Sequence, residues 1–143
     1  MSNTTQFLQL IKHPFKFKLF MLSKLPSAFF CGVRVVDADE NKCSVKVPYK
    51  WFSQNPFKST YFACLSMAAE MSTGILAMAQ IYKRKPSVSM LVVKVESEYF
   101  KKATYLLIIY SSLILVFWLF HGIGRLIEKT NTFYIVRNFN DHL

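Results

Sequence analysis

Apolar side chains recur at intervals of three and four residues between positions 4 and 25, which predicts amphipathic helix. Lysines at positions 12, 16, 18 and 24 stand between them. Pro14 fits the first turn of a helix better than its interior, because proline removes a backbone donor. We therefore expect two helices with a break near His13, the second of which ends at Pro26.

The pattern changes to a period of two in the next segment. Positions 32–37 and 42–47 predict two strands, and the turn-rich residues 37–41 join them as a β-hairpin. Alternation then points Cys43, Val45 and Val47 into the core and turns their neighbours towards solvent. Cys43 is accordingly expected to be a core thiol rather than a nucleophile.

Residues 60–82 predict a long helix of small and apolar residues, in which Glu70 is the one charged side chain. Large apolar side chains fall on every side of this helix, a pattern typical of a helix buried on all sides. Ser59 is the expected N-cap. The basic residues 83–85 and Pro86 provide the C-terminal signal.

Strand alternation returns at residues 87–99 and is followed by a different composition. No Lys, Arg, Asp or Glu occurs between Lys102 and Arg125, and one further weak strand is expected at 132–136. The apolar run 105–120 has three interpretations: further strands, a membrane span, or the product of a shifted reading frame near Thr104. The abrupt change favours the third, which divides the chain into a domain at 1–104 and an atypical hydrophobic tail at 105–143.

Composition excludes several classes of protein. A chain of 143 residues with 52% hydrophobic and 18% charged residues is one folded domain rather than a disordered segment. The cysteines at 31, 43 and 64 have neither zinc-site nor disulfide spacing, and the histidines at 13, 121 and 142 form no cluster. We expect no metal, no cofactor and a cytoplasmic location, with membrane association as the alternative.

The charge of +10 favours anionic partners. The basic residues are scattered, however, with a single run at 83–85 and no nucleic-acid motif. Nucleic acid is therefore not an expected partner, whereas membrane contact through 105–120 remains an alternative.

Residues 55–63, Asn-Pro-Phe-Lys-Ser-Thr-Tyr-Phe-Ala, resemble the entry to the central helix of hotdog-fold thioesterases. In that superfamily an Asn, a Gly three residues later and a His-Gly-Gly sequence precede a helix whose Asp or Glu lies nine residues after the His. The corresponding positions here are Asn55, Lys58, Tyr61, Phe62, Ala63 and Glu70. The resemblance covers about 15–104 and is closest to an uncharacterised branch related to the thioesterase-like C-terminal domain of acetyltransferase fusions.

The resemblance implies an α+β hotdog fold, in which a curved antiparallel sheet wraps a long central helix, here incomplete at the C-terminus. It also implies a homodimer that hydrolyses acyl thioesters of coenzyme A or acyl carrier protein. Glu70 and Asn55 are then the catalytic candidates. The substrate-binding candidates are Ser59, Tyr61, Phe62, Ala63 and Cys64.

Elementary chemistry is compatible with these roles. Free N–H groups near Phe62, Ala63 and Cys64 at a helix N-terminus can stabilise an oxyanion, and Glu70 can activate water or attack directly. Nine helical residues span about 13.5 Å, so both groups can act on one carbonyl only if two subunits contribute.

Each assignment also has a structural alternative. Lys58, Tyr61, Phe62 and Ala63 replace the residues that allow close approach to a thioester, so weaker catalysis or acyl binding alone is a second interpretation. Glu70 can be a structural hydrogen-bonding group, Asn55 a turn former and Cys64 a core residue. The competing class is a noncatalytic, membrane-associated protein held by the basic N-terminal helix and 105–120.

Overall fold

The computed structural model describes residues 2–85, 97, 99 and 101–112. Apart from Ser97 and Tyr99, the predicted strand at 87–99 lies outside the described residues. The weak strand at 132–136 and most of the tail also lie outside them.

Three helices form the N-terminal part of the chain: α1 (Asn3–Lys12), α2 (Pro14–Lys24) and α3 (Pro26–Cys31). His13 is the joint between the first two, because its backbone N–H donates to Gln9 and its Nδ1 accepts from the N–H of Lys16 at 3.5 Å. Pro14 occupies the first turn of α2. The predicted break near His13 is confirmed, whereas Pro26 starts a short third helix that the pattern did not predict.

Gly32 ends α3 in the left-handed region, with φ of 78°. A Cβ atom at this position would lie 2.9 Å from Cγ of Pro48 and 2.7 Å from Nζ of Lys50. Both the dihedral angle and the close approach therefore require glycine at the turn into the sheet.

The sheet has the order β1 (Arg34–Ala38), β2 (Lys42–Val47) and β3 (Leu107–Ser112), and both pairings are antiparallel. The hairpin prediction is confirmed, and Cys43, Val45 and Val47 are fully buried. Asp39 closes the hairpin by accepting from the N–H groups of Asn41 and Lys42. These two bonds, the one from Asn41 foremost, lower the pKa of the Asp39 carboxyl.

Strand β3 changes the interpretation of the apolar run at 105–120. It pairs with β2 from Val47–Leu107 to Lys42–Ser112, and its inward side chains Leu107, Ile109 and Ser111 are buried. The first half of the run is therefore a strand of the same sheet. The boundary predicted at 104 falls before this strand.

Helix α4 (Phe62–Ile81) packs against β2 and β3 and supplies nine of the 20 buried hydrophobic residues of the core. It is the one described helix with the length and hydropathy of a membrane span, but 56% of its most apolar window is buried inside the protein, as in an ordinary core helix. Helix α1 packs on α4 through Phe7, whose ring lies 5.2 Å from that of Tyr82. The architecture is the α+β arrangement of a hotdog-like fold.

One side of α4 is open, which corrects the expectation of a helix buried all round. Phe62 and Glu70 are exposed, and Ser66, Thr73 and Gly74 between and beyond them are half-buried. These positions repeat at helical spacing and so form one side. The sequence did not reveal this side because most of its residues are small rather than charged.

Candidate functional site

Asn55 organises the loop that leads into α4. Its Oδ1 accepts from the N–H of Phe57 at 3.0 Å, the N–H of Ser59 at 3.2 Å and the hydroxyl of Ser59 at 3.1 Å. Its backbone N–H donates to the carbonyl of Ser59 at 2.8 Å. The side-chain carbonyl is therefore occupied by the loop, and Asn55 acts on the site by shaping it.

Lys58 lies in the left-handed region with φ of 56°, and its N–H donates to the carbonyl of Asn55 at 3.1 Å. The motif of hotdog thioesterases has a glycine at this position. Glycine adopts such a dihedral angle without strain, so the lysine keeps the loop's shape at a conformational cost.

Backbone hydrogen bonds on both sides of the loop hold the start of α4 in place. The N–H of Tyr61 donates to the carbonyl of Ser53 and that of Thr60 to the carbonyl of Ala103, each at 2.7 Å. Gln54 and Thr60 form an isolated antiparallel bridge. The helix N-terminus is thereby fixed without help from its own side chains.

The helix begins at Phe62 with Tyr61 as N-cap, and no side chain caps it. The prediction that Ser59 caps the helix is wrong, because the Ser59 hydroxyl bonds to Asn55 instead. Among the described residues, nothing accepts from the N–H groups of Phe62 and Ala63. The N–H of Cys64 donates to the carbonyl of Tyr61 at 2.9 Å, so of the three proposed oxyanion donors only the first two are free for a ligand.

Glu70 lies on the open side of α4, two turns beyond Phe62. It is exposed, and within the described part of the chain it forms no ion pair. The rise of eight residue steps from Phe62 places its backbone about 12 Å from the helix start. A single chain therefore does not bring Glu70 and the free N–H groups to one carbonyl carbon.

Cys64 is buried beside another thiol. Its Sγ lies 3.4 Å from Sγ of Cys31, and the Cys31 thiol donates to the carbonyl of Phe52 at 3.3 Å. Burial foremost, and the contact with Cys31 next, raise the pKa of Cys64 to about 12. Cys64 is thus a protonated thiol that packs under the loop rather than a nucleophile.

Exposed aromatic side chains surround the loop and the helix start. Tyr61 and Phe62 are in edge contact at 4.9 Å between ring centroids, and Trp51 and Phe52 at 4.7 Å. Phe57, at the tip of the loop, is also exposed. Apolar surface next to free backbone donors suits a ligand with a hydrocarbon part and an oxygen acceptor.

Thr60 is a residue that the sequence reasoning did not select. Its side chain is buried, and its Oγ1 has no hydrogen-bond partner among the residues that the structure describes. Its signal in the sequence was a hydroxyl residue at the first position of the predicted helix. In the described ranges no group of three or more His, Cys, Asp or Glu side chains could hold a metal ion.

Comparison with known proteins finds one matching family model and two similar solved structures, and none of their descriptions names an activity. A family model described as "Domain of unknown function (DUF4442)" matches residues 15–112. A solved structure described as "Crystal Structure of genomics APC5556" is 18% identical, with a TM-score of 0.60 over 78% of this chain and 75% of that chain. The protein OLEI01261, of unknown function, from Chlorobaculum tepidum TLS is 16% identical, with a TM-score of 0.55 over 77% of this chain and 69% of that chain. No curated protein matches.

Proposed function

The chain belongs to the DUF4442 family of domains of unknown function, and we propose that it hydrolyses thioesters of acyl-coenzyme A or acyl carrier protein. The site is built by two copies of the chain. One copy contributes the N-terminus of α4, and the other contributes Glu70.

The proposal rests on two complementary groups that lie on the open side of α4. They are too far apart to act on one carbonyl within a single chain. The uncapped N–H groups of Phe62 and Ala63 suit an oxyanion, and Glu70 is the one acidic residue of α4. An antiparallel contact between the open sides of two α4 helices brings each Glu70 towards the other helix's N-terminus. Ser66, Thr73 and Gly74 are small enough for such an approach.

In this site the thioester carbonyl oxygen accepts hydrogen bonds from Phe62 and Ala63. The carboxylate of Glu70 from the second copy removes a proton from water as the water attacks the carbonyl carbon. The N–H groups and the helix dipole stabilise the resulting oxyanion. The tetrahedral intermediate then collapses, and the thiolate of the carrier leaves and takes up a proton.

The first experiment measures release of free coenzyme A from acyl-coenzyme A of several chain lengths. The purified wild-type chain is compared with Glu70→Gln, which keeps the shape of the side chain and removes the base. Glu40→Gln is the matched control, because Glu40 is also exposed and lies on the hairpin rather than on α4. We expect Glu70→Gln to lower kcat by at least about a hundredfold and the control to keep full activity.

A second experiment tests whether two copies share the site. Phe62→Pro removes one N–H donor at the first helical position, where proline is tolerated and where Tyr61 is already extended at φ −64° and ψ 131°. Mixing and reassembling Phe62→Pro with Glu70→Gln produces mixed dimers, each with one intact site. We expect recovery of about one quarter of the wild-type activity, as random pairing dictates.

The outcomes separate the candidate functions. Turnover that does not depend on Glu70 contradicts its role as base. A folded dimer that binds acyl-coenzyme A without turnover contradicts hydrolysis and supports acyl binding. This second candidate is favoured because Tyr61, Phe62 and Ala63 stand where hotdog-fold thioesterases have His-Gly-Gly. Failure of the mixture to recover activity contradicts the shared site.

A further inference from the structure

Helix α2 has apolar residues on two opposite sides. One side packs on the protein through Met21, which is buried, and Phe17, which is half-buried against the core. On the other side Phe15, Leu19 and Leu22 are 72%, 58% and 44% exposed. Their spacing of four and three residues forms one stripe along the helix, which we call the α2 stripe.

Positive charge flanks this stripe. Lys16 follows Phe15 and Lys18 precedes Leu19, so the rotation of about 100° per residue places the two lysines on opposite flanks. Both are exposed, as is Lys24 at the end of the helix. No Asp or Glu occurs among residues 1–36, so no acidic side chain of this segment neutralises the lysines.

We propose that α2 binds the surface of an anionic lipid bilayer, with the α2 stripe inserted between headgroups and Lys16 and Lys18 at the phosphates. An apolar stripe bordered by lysines is the pattern of helices that lie in the plane of the interface. The 11 residues of α2 are too few to cross a bilayer, so the helix lies on the surface rather than spanning it. The proposal does not depend on the proposed hydrolase activity.

Charge complementarity favours an anionic bilayer over two other partners for the α2 stripe, a second copy of the chain and a nucleic acid. A second copy docked stripe to stripe would bring two sets of lysines together, in a chain whose net charge is already +10. A nucleic acid would pair with the lysines but leave Phe15 and Leu19 in water. An anionic bilayer offers phosphates to the lysines and hydrocarbon to the stripe.

Vesicle flotation with the full chain tests the proposal. Vesicles of phosphatidylcholine mixed with phosphatidylserine are compared with vesicles of phosphatidylcholine alone. We expect binding to the mixed vesicles only, and loss of that binding at high salt, because the phosphates are screened.

Two double variants test the two parts of the surface. Phe15→Ser with Leu19→Ser removes the most exposed part of the stripe, and Lys16→Glu with Lys18→Glu reverses its flanking charge. We expect each to lower the partition coefficient by about tenfold or more. All four side chains are exposed, so circular dichroism is expected to match the wild type.

The controls make comparable changes at exposed positions outside α2. Phe57→Ser removes an aromatic side chain that is 74% exposed, and Lys101→Glu with Lys102→Glu makes the same charge change at another exposed pair. We expect both to bind like the wild type. The proposal would be overturned if the wild type bound neutral vesicles as well as anionic ones, or if the controls lost as much vesicle binding as the α2 variants. It would also be overturned if the stripe variant dissociated a dimer yet still bound vesicles.

Discussion

At the scale of single residues, two buried hydroxyl groups join the central helix to the sheet. Ser72 on α4 donates to the carbonyl of Ala69 at 2.8 Å, so its one proton is occupied. Ser111 on β3 therefore donates to Oγ of Ser72, at 2.6 Å. The arrangement is directional: Ser72 can keep its bond when Ser111 is removed, but Ser111 loses its acceptor when Ser72 is removed.

This direction predicts unequal effects of two similar truncations. Ser72→Ala leaves a buried donor on Ser111 without an acceptor, and we expect it to lower the free energy of unfolding by about 1–3 kcal/mol. Ser111→Ala leaves Ser72 bonded to Ala69, and we expect a loss of about 1 kcal/mol or less. Urea unfolding of both variants and of the double variant measures the difference, and equal losses would contradict the assigned direction.

The Cys43 thiol predicts a pH dependence of stability. Burial foremost, with Asp37 and Asp39 nearby, raises the pKa of Cys43 from 9.0 to about 12. Below pH 9 the thiol is protonated in both states, so its full contribution is present. Between pH 9 and 12 the unfolded chain ionises while the folded chain does not, and stability falls by at most about 1.4 kcal/mol per pH unit.

Cys43→Ala is expected to have a shallower decline above pH 9 than the wild type. The control is Val45→Ala, another truncation in the buried row of β2, which removes no titrating group and should shift the whole curve downward. Denaturant midpoints across the alkaline range provide the measurement. A Cys43→Ala curve that runs parallel to the wild type would count against the raised pKa.

At the scale of elements, the sequence predicted what local pattern determines. The break at His13 and the alternation around Cys43 follow from neighbouring residues, and both match the structure. Helix α3 was missed because its 6 residues are too few to reveal a helical period. Strand β3 was ambiguous because a continuous apolar run has no period of two, and only pairing with distant β2 identifies it.

In the candidate site, too, the sequence predicted the local features but not those that depend on tertiary packing. The loop pattern around Asn55 was readable, but its hydrogen bonds to Ser59 displaced the expected N-cap. The exposure of Glu70 depends on which side of α4 meets the sheet, and a helix with apolar residues all round does not reveal that side. Tertiary packing decides both points.

The turn between α3 and β1 predicts a strong effect of a single methyl group. Gly32→Ala is expected to lower the free energy of unfolding by about 2 kcal/mol, because φ of 78° is strained for alanine and the rigid Pro48 ring obstructs the Cβ. Gly74→Ala is the control, since no atom lies within 4 Å of its Cβ and the helix favours alanine by about 1 kcal/mol. In chemical unfolding we expect the two substitutions to change the free energy of unfolding in opposite directions. A Gly32→Ala variant as stable as the wild type would contradict the requirement for glycine at this turn.

At the scale of the whole molecule, α4 divides the protein into a closed and an open side. The closed side packs on β2 and β3, and the open side carries Glu70 among small residues. Because this side of α4 is open in the single chain, we expect a second copy of the chain to pack against it.

A bulky side chain on the open side should separate the two copies of the proposed dimer without unfolding either. Gly74→Trp places an indole where a Cβ meets open space, and we expect it to produce monomers. Glu40→Trp is the control, because Glu40 is exposed and lies on the hairpin rather than on α4. Sedimentation and the concentration dependence of Tm report the outcome. A Gly74→Trp dimer as stable as the wild type would show that the contact lies elsewhere.

The position of β2 between its two partners has a consequence for the order of folding. Its pairing with β1 closes over the few residues between Ala38 and Cys43, whereas its pairing with β3 begins at Val47 and Leu107 and spans all of α4. Closing the longer loop loses more chain entropy and is slower. We therefore expect the hairpin and α4 to form first and β3 to complete the sheet last. Until β3 docks, one edge of β2 would be open to pairing with another chain.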